Sequence, residues 1–213
     1  MNKPKIIRKI VYTPAQRHMY RQQSIDVMAL LKRMFSGIEL YCSFHRGISS
    51  NDDSPTIDSE NNLILKNGAE KLGYTIVDAS QDLNKLKLYD ECDFHVGYRV
   101  HGHIFFLSKR KPSVLIHEDG RGNGVSDALN VQGIDAYERS VSSQVAKKIS
   151  LPKISGGIKK IFGDIVPSNM LLKILEDYLI EEIESDFSRF SGVGKVIDSY
   201  YTIMTKFLKS LPD

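Results

Sequence analysis

The 213-residue chain contains no tryptophan and only two cysteines, Cys42 and Cys92. Two cysteines cannot form a disulfide framework, and their spacing matches no metal motif. No apolar run approaches the ~20 residues that span a bilayer, and the Met1 end (MNKPKIIRKI) lacks the apolar core of a secretory signal. A soluble chain in a reducing, cytoplasmic setting is the expectation. No Gly-x-Gly-x-x-Gly follows the first predicted strand, which argues against a dinucleotide cofactor. No Gly-x-Ser-x-Gly elbow is present, and Gly192–Lys195 lacks the rest of a P-loop. Basic charge is too sparse and scattered for a nucleic-acid surface.

What charge there is divides unevenly. Residues 1–169 hold 24 Lys/Arg against 18 Asp/Glu, and residues 170–213 hold 5 against 8. A mildly basic body suits a small anionic ligand. A chain of this length buries roughly 70% of its unfolded surface, so it folds without a metal or disulfide staple.

β-branched runs alternate with helical periodicities, the signature of a parallel sheet in an α/β unit. Strands are expected at Lys5–Thr13, Ile38–Phe44, Tyr74–Ala79, Phe94–Arg99 and Pro112–His117. Helices are expected at Ala15–Phe35, Ser59–Gly73 and His101–Lys109, with a helical turn at Asp82–Tyr89. Ile48–Glu60 reads as a polar loop, and Glu118–Gly124 as a glycine-rich turn before a helix starting at Val125. The fold class is therefore α/β: a single Rossmann-like domain over 1–137, a connecting segment over 138–168 that includes Ser155–Gly157, and a helical appendage over 169–213. In the appendage, Asn169–Phe187 places Leu171, Leu172, Leu175, Leu179, Ile183 and Phe187 on one face. Val196–Leu208 does the same with Ile197, Tyr200, Tyr201, Met204, Phe207 and Leu208. Packing on the body is the plain expectation for both helices. A docking surface for a second copy or a partner domain is the alternative.

In an open parallel sheet, ligands bind beyond the carboxyl ends of the strands, where helix N-termini present free N–H groups. Two consecutive strand-to-helix turns there are rich in cations. Gly97–His103 carries Arg99, a planar cation for a carboxylate or phosphate, then His101 and Gly102. At Gly102 a missing side chain permits close approach of backbone and ligand. His117–Gly124 adds Arg121 among Gly120, Gly122 and Gly124. Ser43–Gly47 ends the second strand on the same edge, so His45 and Arg46 either reach the ligand or cap the loop. Arg99 and His101 have plainer roles open to them, an ion pair and a cap. His101 and His103 diverge by roughly 200° on a helix, and His95 and His117 fall on strands, which suits buried structural roles better than metal ligation.

The stretch Cys92–Leu107, with Gly97-Tyr98-Arg99-Val100-His101-Gly102 at its centre, resembles the polysaccharide pyruvyl transferases. The likeness continues through Lys111–Ile116, Asp119-Gly120-Arg121-Gly122, Val125–Leu129 and Gly133-Ile134-Asp135. It is dense over about residues 90–137 and looser over 6–44.

The resemblance implies the second, C-terminal half of a GT-B-like architecture. It implies phosphoenolpyruvate as donor substrate, no separate cofactor, and transfer of the enolpyruvyl group to hydroxyls of a cell-surface polysaccharide or its precursor. His101 would be the acid/base, with Arg99 and Arg121 on the donor's phosphate and carboxylate, beside Gly102, Gly122, His45 and Arg46. The chain departs from the family in two ways. Arg121 stands where many relatives carry Lys, and only one Rossmann-like half is expected here. Two other readings remain open: a non-catalytic or half-enzyme module that binds an anion or a partner in glycan biosynthesis, and a half-size nucleotide-sugar glycosyltransferase domain.

Overall fold

The structure, a computed structural model, describes residues 6–48, 57–80, 82–139 and 165–210. Most of the expected polar loop after Ile48 and most of the 138–168 connecting segment lie outside the described residues.

Six parallel strands form the central sheet: β1 (Lys9–Thr13), β2 (Glu39–Phe44), β3 (Thr75–Asp78), β4 (Phe94–Gly97), β5 (Ser113–His117) and β6 (Ile134–Asp135). Their spatial order is β3-β2-β1-β4-β5-β6, the order of a doubly wound Rossmann-like sheet. The expectation of an α/β Rossmann-like fold is borne out. Crossover helices α1 (Arg21–Met34), α2 (Ile57–Lys71), α3 (Lys87–Glu91), α4 (Val100–Ser108) and α5 (Gly120–Leu129) connect the strands. A short antiparallel pair, β7 (Tyr137–Arg139) and β8 (Ile165–Pro167), precedes α6 (Leu171–Glu184) and α7 (Val193–Lys209).

The central strands are apolar on both faces because helices cover both. Ile10 and Tyr12 of β1 join a large core with Val27, Met28 and Leu31 of α1 and with Leu171, Leu175 and Leu179 of α6. Val11, between them, packs on the other side with Tyr89, Cys92 and Phe106. Each such fully buried side chain contributes about 1.5–3 kcal/mol relative to exposure.

Four local expectations change. The long first helix begins only at Arg21, after a 3₁₀ turn at His18–Tyr20. The glycine-rich segment is not a free turn: α5 starts at Gly120. Asp119 caps it, its carboxylate accepting the Arg121 N–H at 3.0 Å, and Gly122 lies so close to the His117 ring that a Cβ there would sit 2.6 Å from it. The buried face of α6 is also rotated from the predicted one. Tyr178 and Glu182 are buried while Ile183 is exposed, because Arg189 lies 4.3 Å over the Tyr178 ring and its Nε sits 2.7 Å from the Glu182 carboxylate. Finally, the apolar packing of α7 on the body is confined to its first turns, through Val193 and Ile197, with Asp198 and Tyr200 adding polar contacts to Arg110 and Ala128. Tyr200, Tyr201, Met204, Phe207 and Leu208 are exposed.

Candidate functional site

β1 and β4 are neighbours in the sheet but distant in sequence, and their crossovers leave in opposite directions along it. The gap beyond their carboxyl ends is the topological switch point, where ligands of such sheets bind. The register pairs Thr13 with Gly97 at that edge. The two ends are joined tightly. The Tyr98 N–H donates to the Thr13 carbonyl at 2.8 Å, and the Arg99 N–H donates to Thr13 Oγ1 at 3.3 Å. A Cβ at Gly97 would overlap the Thr13 backbone, so only glycine permits this approach.

Arg99 leaves the crevice as the residue preceding α4. Its Nη1 donates to Gln16 Oε1 at 2.7 Å, across the gap from the β1 side. Burial is the main influence pulling its pKa down, opposed first by the Glu118 carboxylate and reinforced by Arg46 and Arg121. Arg99, Gln16, Pro14 and Ala15 line a pocket with Ser43, His45, Arg46 and Asn62. Its clear interior is about 10 Å³, room for roughly one water, so a ligand must lie at its mouth. Asn62 closes one wall by donating to the carbonyls of Arg46 and Gly47 at 2.8 and 3.0 Å.

His45 is half-buried. Its Nε2 bonds the Tyr89 hydroxyl, which in turn lies 3.0 Å from Ser43 Oγ. Burial first, then the nearby Arg99 and His101, pull its pKa down to about 4, which leaves a neutral hydrogen-bonding ring at neutral pH. His101, in the first turn of α4, is exposed and has no hydrogen-bond partner among the described residues. Arg99, His45 and Arg46 thus line one pocket, whereas His101 is not among its lining residues and is near enough only to act on His45 through its field.

Arg121 is placed differently. Its guanidinium turns back onto Asp119, with Nη2 2.8 Å from the carboxylate, and its side chain is 76% exposed. It reaches Arg99 only through its field. The two glycines also have internal reasons for being glycine. A Cβ at Gly102 would lie 3.1 Å from His95 Nε2 and 3.4 Å from Thr13 Cγ2, while Gly122 makes room for His117.

Glu118, at the end of β5, has a role that the sequence did not reveal. Its buried carboxylate accepts the backbone N–H of Gln16 at 2.7 Å and of Arg17 at 3.2 Å. In sheets of this order the amides after the first strand receive a dinucleotide's pyrophosphate. Here an internal carboxylate takes them, which accords with the missing glycine fingerprint. Burial raises the Glu118 pKa, and those N–H groups and Arg99 act against the rise.

Below the crevice lies a buried polar chain. Thr13 Oγ1 meets His95 Nε2 at 2.8 Å, His95 Nδ1 meets Ser113 Oγ at 2.6 Å, and Ser113 Oγ meets His103 Nδ1 at 2.7 Å. Burial keeps both imidazoles neutral, with His103 pulled down to about 3. His117 is equally internal, bonded to Asp135 and Ser126. These are the structural histidines anticipated for positions 95 and 117. Among the described residues no three His, Cys, Asp or Glu side chains cluster as metal ligands.

No protein-family model matches the chain, and no curated protein matches it. Among solved structures it is similar to one of the subunits of dipicolinate synthase from Bacillus halodurans, with 15% identity over 89% of this chain and 94% of that one, at a TM-score of 0.46. It is also similar to the wall teichoic acid polymerase TagF, with 18% identity over 98% of this chain and a TM-score of 0.36. This chain spans only 44% of that polymerase. The reductase domain of a non-ribosomal peptide synthetase from Mycobacterium tuberculosis matches at 16% identity over 86% of this chain and 46% of that one, with a TM-score of 0.31. Likenesses of this depth carry no argument about activity, and the Rossmann-like assignment stands on the strand order itself.

Proposed function

We propose that the chain binds phosphoenolpyruvate at the mouth of the β1/β4 crevice and transfers its enolpyruvyl group to hydroxyls of a saccharide. What supports this reading is a half-buried guanidinium, Arg99, at the switch point, followed two residues on by an exposed imidazole, His101, in the first turn of α4. Arg99 and the N–H groups of α4 hold the donor's negative charge, with Arg46 at the opposite lip. His101 delivers a proton to the donor's methylene carbon, leaving the adjacent carbon cationic. A sugar hydroxyl bonds to that carbon and loses its proton. The bond from that carbon to the phosphate oxygen then breaks and phosphate leaves with the electron pair; a second hydroxyl bonds to the cationic carbon and gives up its proton to the now neutral His101, closing the ketal. Fixed positive charge on the departing phosphate and one well-placed proton donor are what this sequence of events requires. His45, neutral and tied to Tyr89, orients the donor through a hydrogen bond.

The experiment is a phosphate-release assay with the wild-type chain and His101→Ala in the presence of saccharide diols. Release by the wild type, and release reduced at least a hundredfold in the variant with donor affinity retained, is the expected result. Equal release would remove His101 from the chemistry. One Rossmann-like sheet among the described residues favours a second reading, a donor-binding half completed by a partner that holds the acceptor. Donor binding without turnover in any diol selects that reading.

A further inference from the structure

The C-terminal half of α7 is the most conspicuous unpartnered surface among the described residues. Beyond Tyr200, whose hydroxyl still bonds α5, the helix leaves the body. Tyr200, Tyr201, Ile203, Met204, Phe207 and Leu208 are each between 49% and 64% exposed. At 3.6 residues per turn these six, with Val193, Val196 and Ile197, fill a continuous arc of about 160°, and every polar residue of the helix lies on the other side. That polar side carries Lys195, Lys206 and Lys209 against one acid, Asp198, whose carboxylate is already paired with Arg110.

We propose that this half of α7 docks on an anionic lipid surface, lying in its interface with the aromatic and aliphatic arc buried and the lysines at headgroup level. Three observations select this occupant. The arc is nearly half a cylinder, the width that a plane covers, whereas a partner helix covers a narrower seam. Residues 200–208 extend about 12 Å along the axis, too short for a helix pair to reach the roughly 1,200 Å² of a stable dimer. The uncompensated charge is positive, which complements anionic headgroups. The anchoring contacts fix where this surface lies. Arg110 follows the end of α4, and the Tyr200 hydroxyl donates to the Ala128 carbonyl in the last turn of α5 at 3.1 Å. Crossover helices run back against the strands, so α7 is anchored at the sheet edge opposite the Arg99 crevice. Docking leaves that crevice open to solution.

The test is co-sedimentation of the full chain with vesicles of phosphatidylcholine alone and of phosphatidylcholine mixed with phosphatidylglycerol, at low and high salt. Phe207→Asp and Lys206→Gln/Lys209→Gln serve as variants, and light scattering reads the oligomeric state. Both variants change exposed side chains, and circular dichroism checks that they fold. Partition onto the anionic vesicles only, reduced on the order of tenfold by high salt or by the double lysine change and abolished by Phe207→Asp, supports the proposal. Absence of partition, or equal partition of Phe207→Asp, overturns it. So does a dimer of the wild type that Phe207→Asp makes monomeric, which would assign the face to a second copy. None of these readouts involves phosphoenolpyruvate, so the outcome is independent of the proposed activity.

Discussion

The carboxylate of Glu118 accepts the backbone N–H of Gln16 at 2.7 Å, and the side chain of the same Gln16 accepts a hydrogen bond from Arg99 at 2.7 Å. The guanidinium proposed to grip the ligand is therefore steadied, through Gln16, by a buried acid at the end of the neighbouring strand β5. Removing that acid tests the linkage. Glu118→Ala leaves two part-buried N–H groups without their acceptor and is expected to cost about 1 kcal/mol in urea denaturation. Glu118→Gln, which keeps an accepting oxygen, is expected to cost less. Equal losses in the two variants would mean that the accepting oxygen plays no part.

Gly97 sets the spacing of the crevice. Gly97→Ala pushes a methyl group into the Thr13 backbone, and overpacking of this kind costs about 1–3 kcal/mol. Thermal denaturation should show the loss. Gly120→Ala, at a position where an added Cβ meets nothing within 4 Å, should leave stability within about 0.5 kcal/mol.

The buried histidines predict a pH dependence of stability with a definite sign. Unfolded, His95 and His103 take up a proton near pH 6.5. Folded, burial keeps them neutral, with His103 protonating only at about 3. Below pH 6.5 the unfolded chain binds more protons, so each group's contribution to stability falls as pH drops below about 6.5, for His103 down to about 3. The slope approaches about 1.4 kcal/mol per pH unit for each group. Urea midpoints measured from pH 7.5 to pH 5 should show a shallower slope in His103→Gln than in the wild type. Identical slopes would contradict the buried neutral assignment.

Much of this architecture was legible in the sequence because it is written in local pattern. The β-branched runs gave the parallel strands, and Gly97-x-Arg99-x-His101-Gly102 stood at a strand end, where the structure places it. What escaped depends on partners far apart in the chain. Glu118 looks like one more polar residue before a helix, yet its partners lie about a hundred positions earlier. The glycines at 120, 122 and 124 read as a loop because the helix they open depends on the Asp119 cap and on the space that Gly122 leaves for His117. In α6, apolar spacing could not foresee that Arg189 would bring Glu182 inside. In α7 the same spacing identified the apolar face correctly but carried no information about what covers it.

The most direct test of the account is calorimetric titration of phosphoenolpyruvate into the folded chain and into Arg99→Ala, with pyruvate, inorganic phosphate, UDP and NAD as controls. Selective binding of phosphoenolpyruvate by the wild type is the expected result, with a loss of one to two orders of magnitude in the variant, on the order of 1.5–3 kcal/mol for a charge-assisted contact. No binding by the folded wild type, or equal binding by both proteins, would contradict the placement of the donor at the β1/β4 crevice.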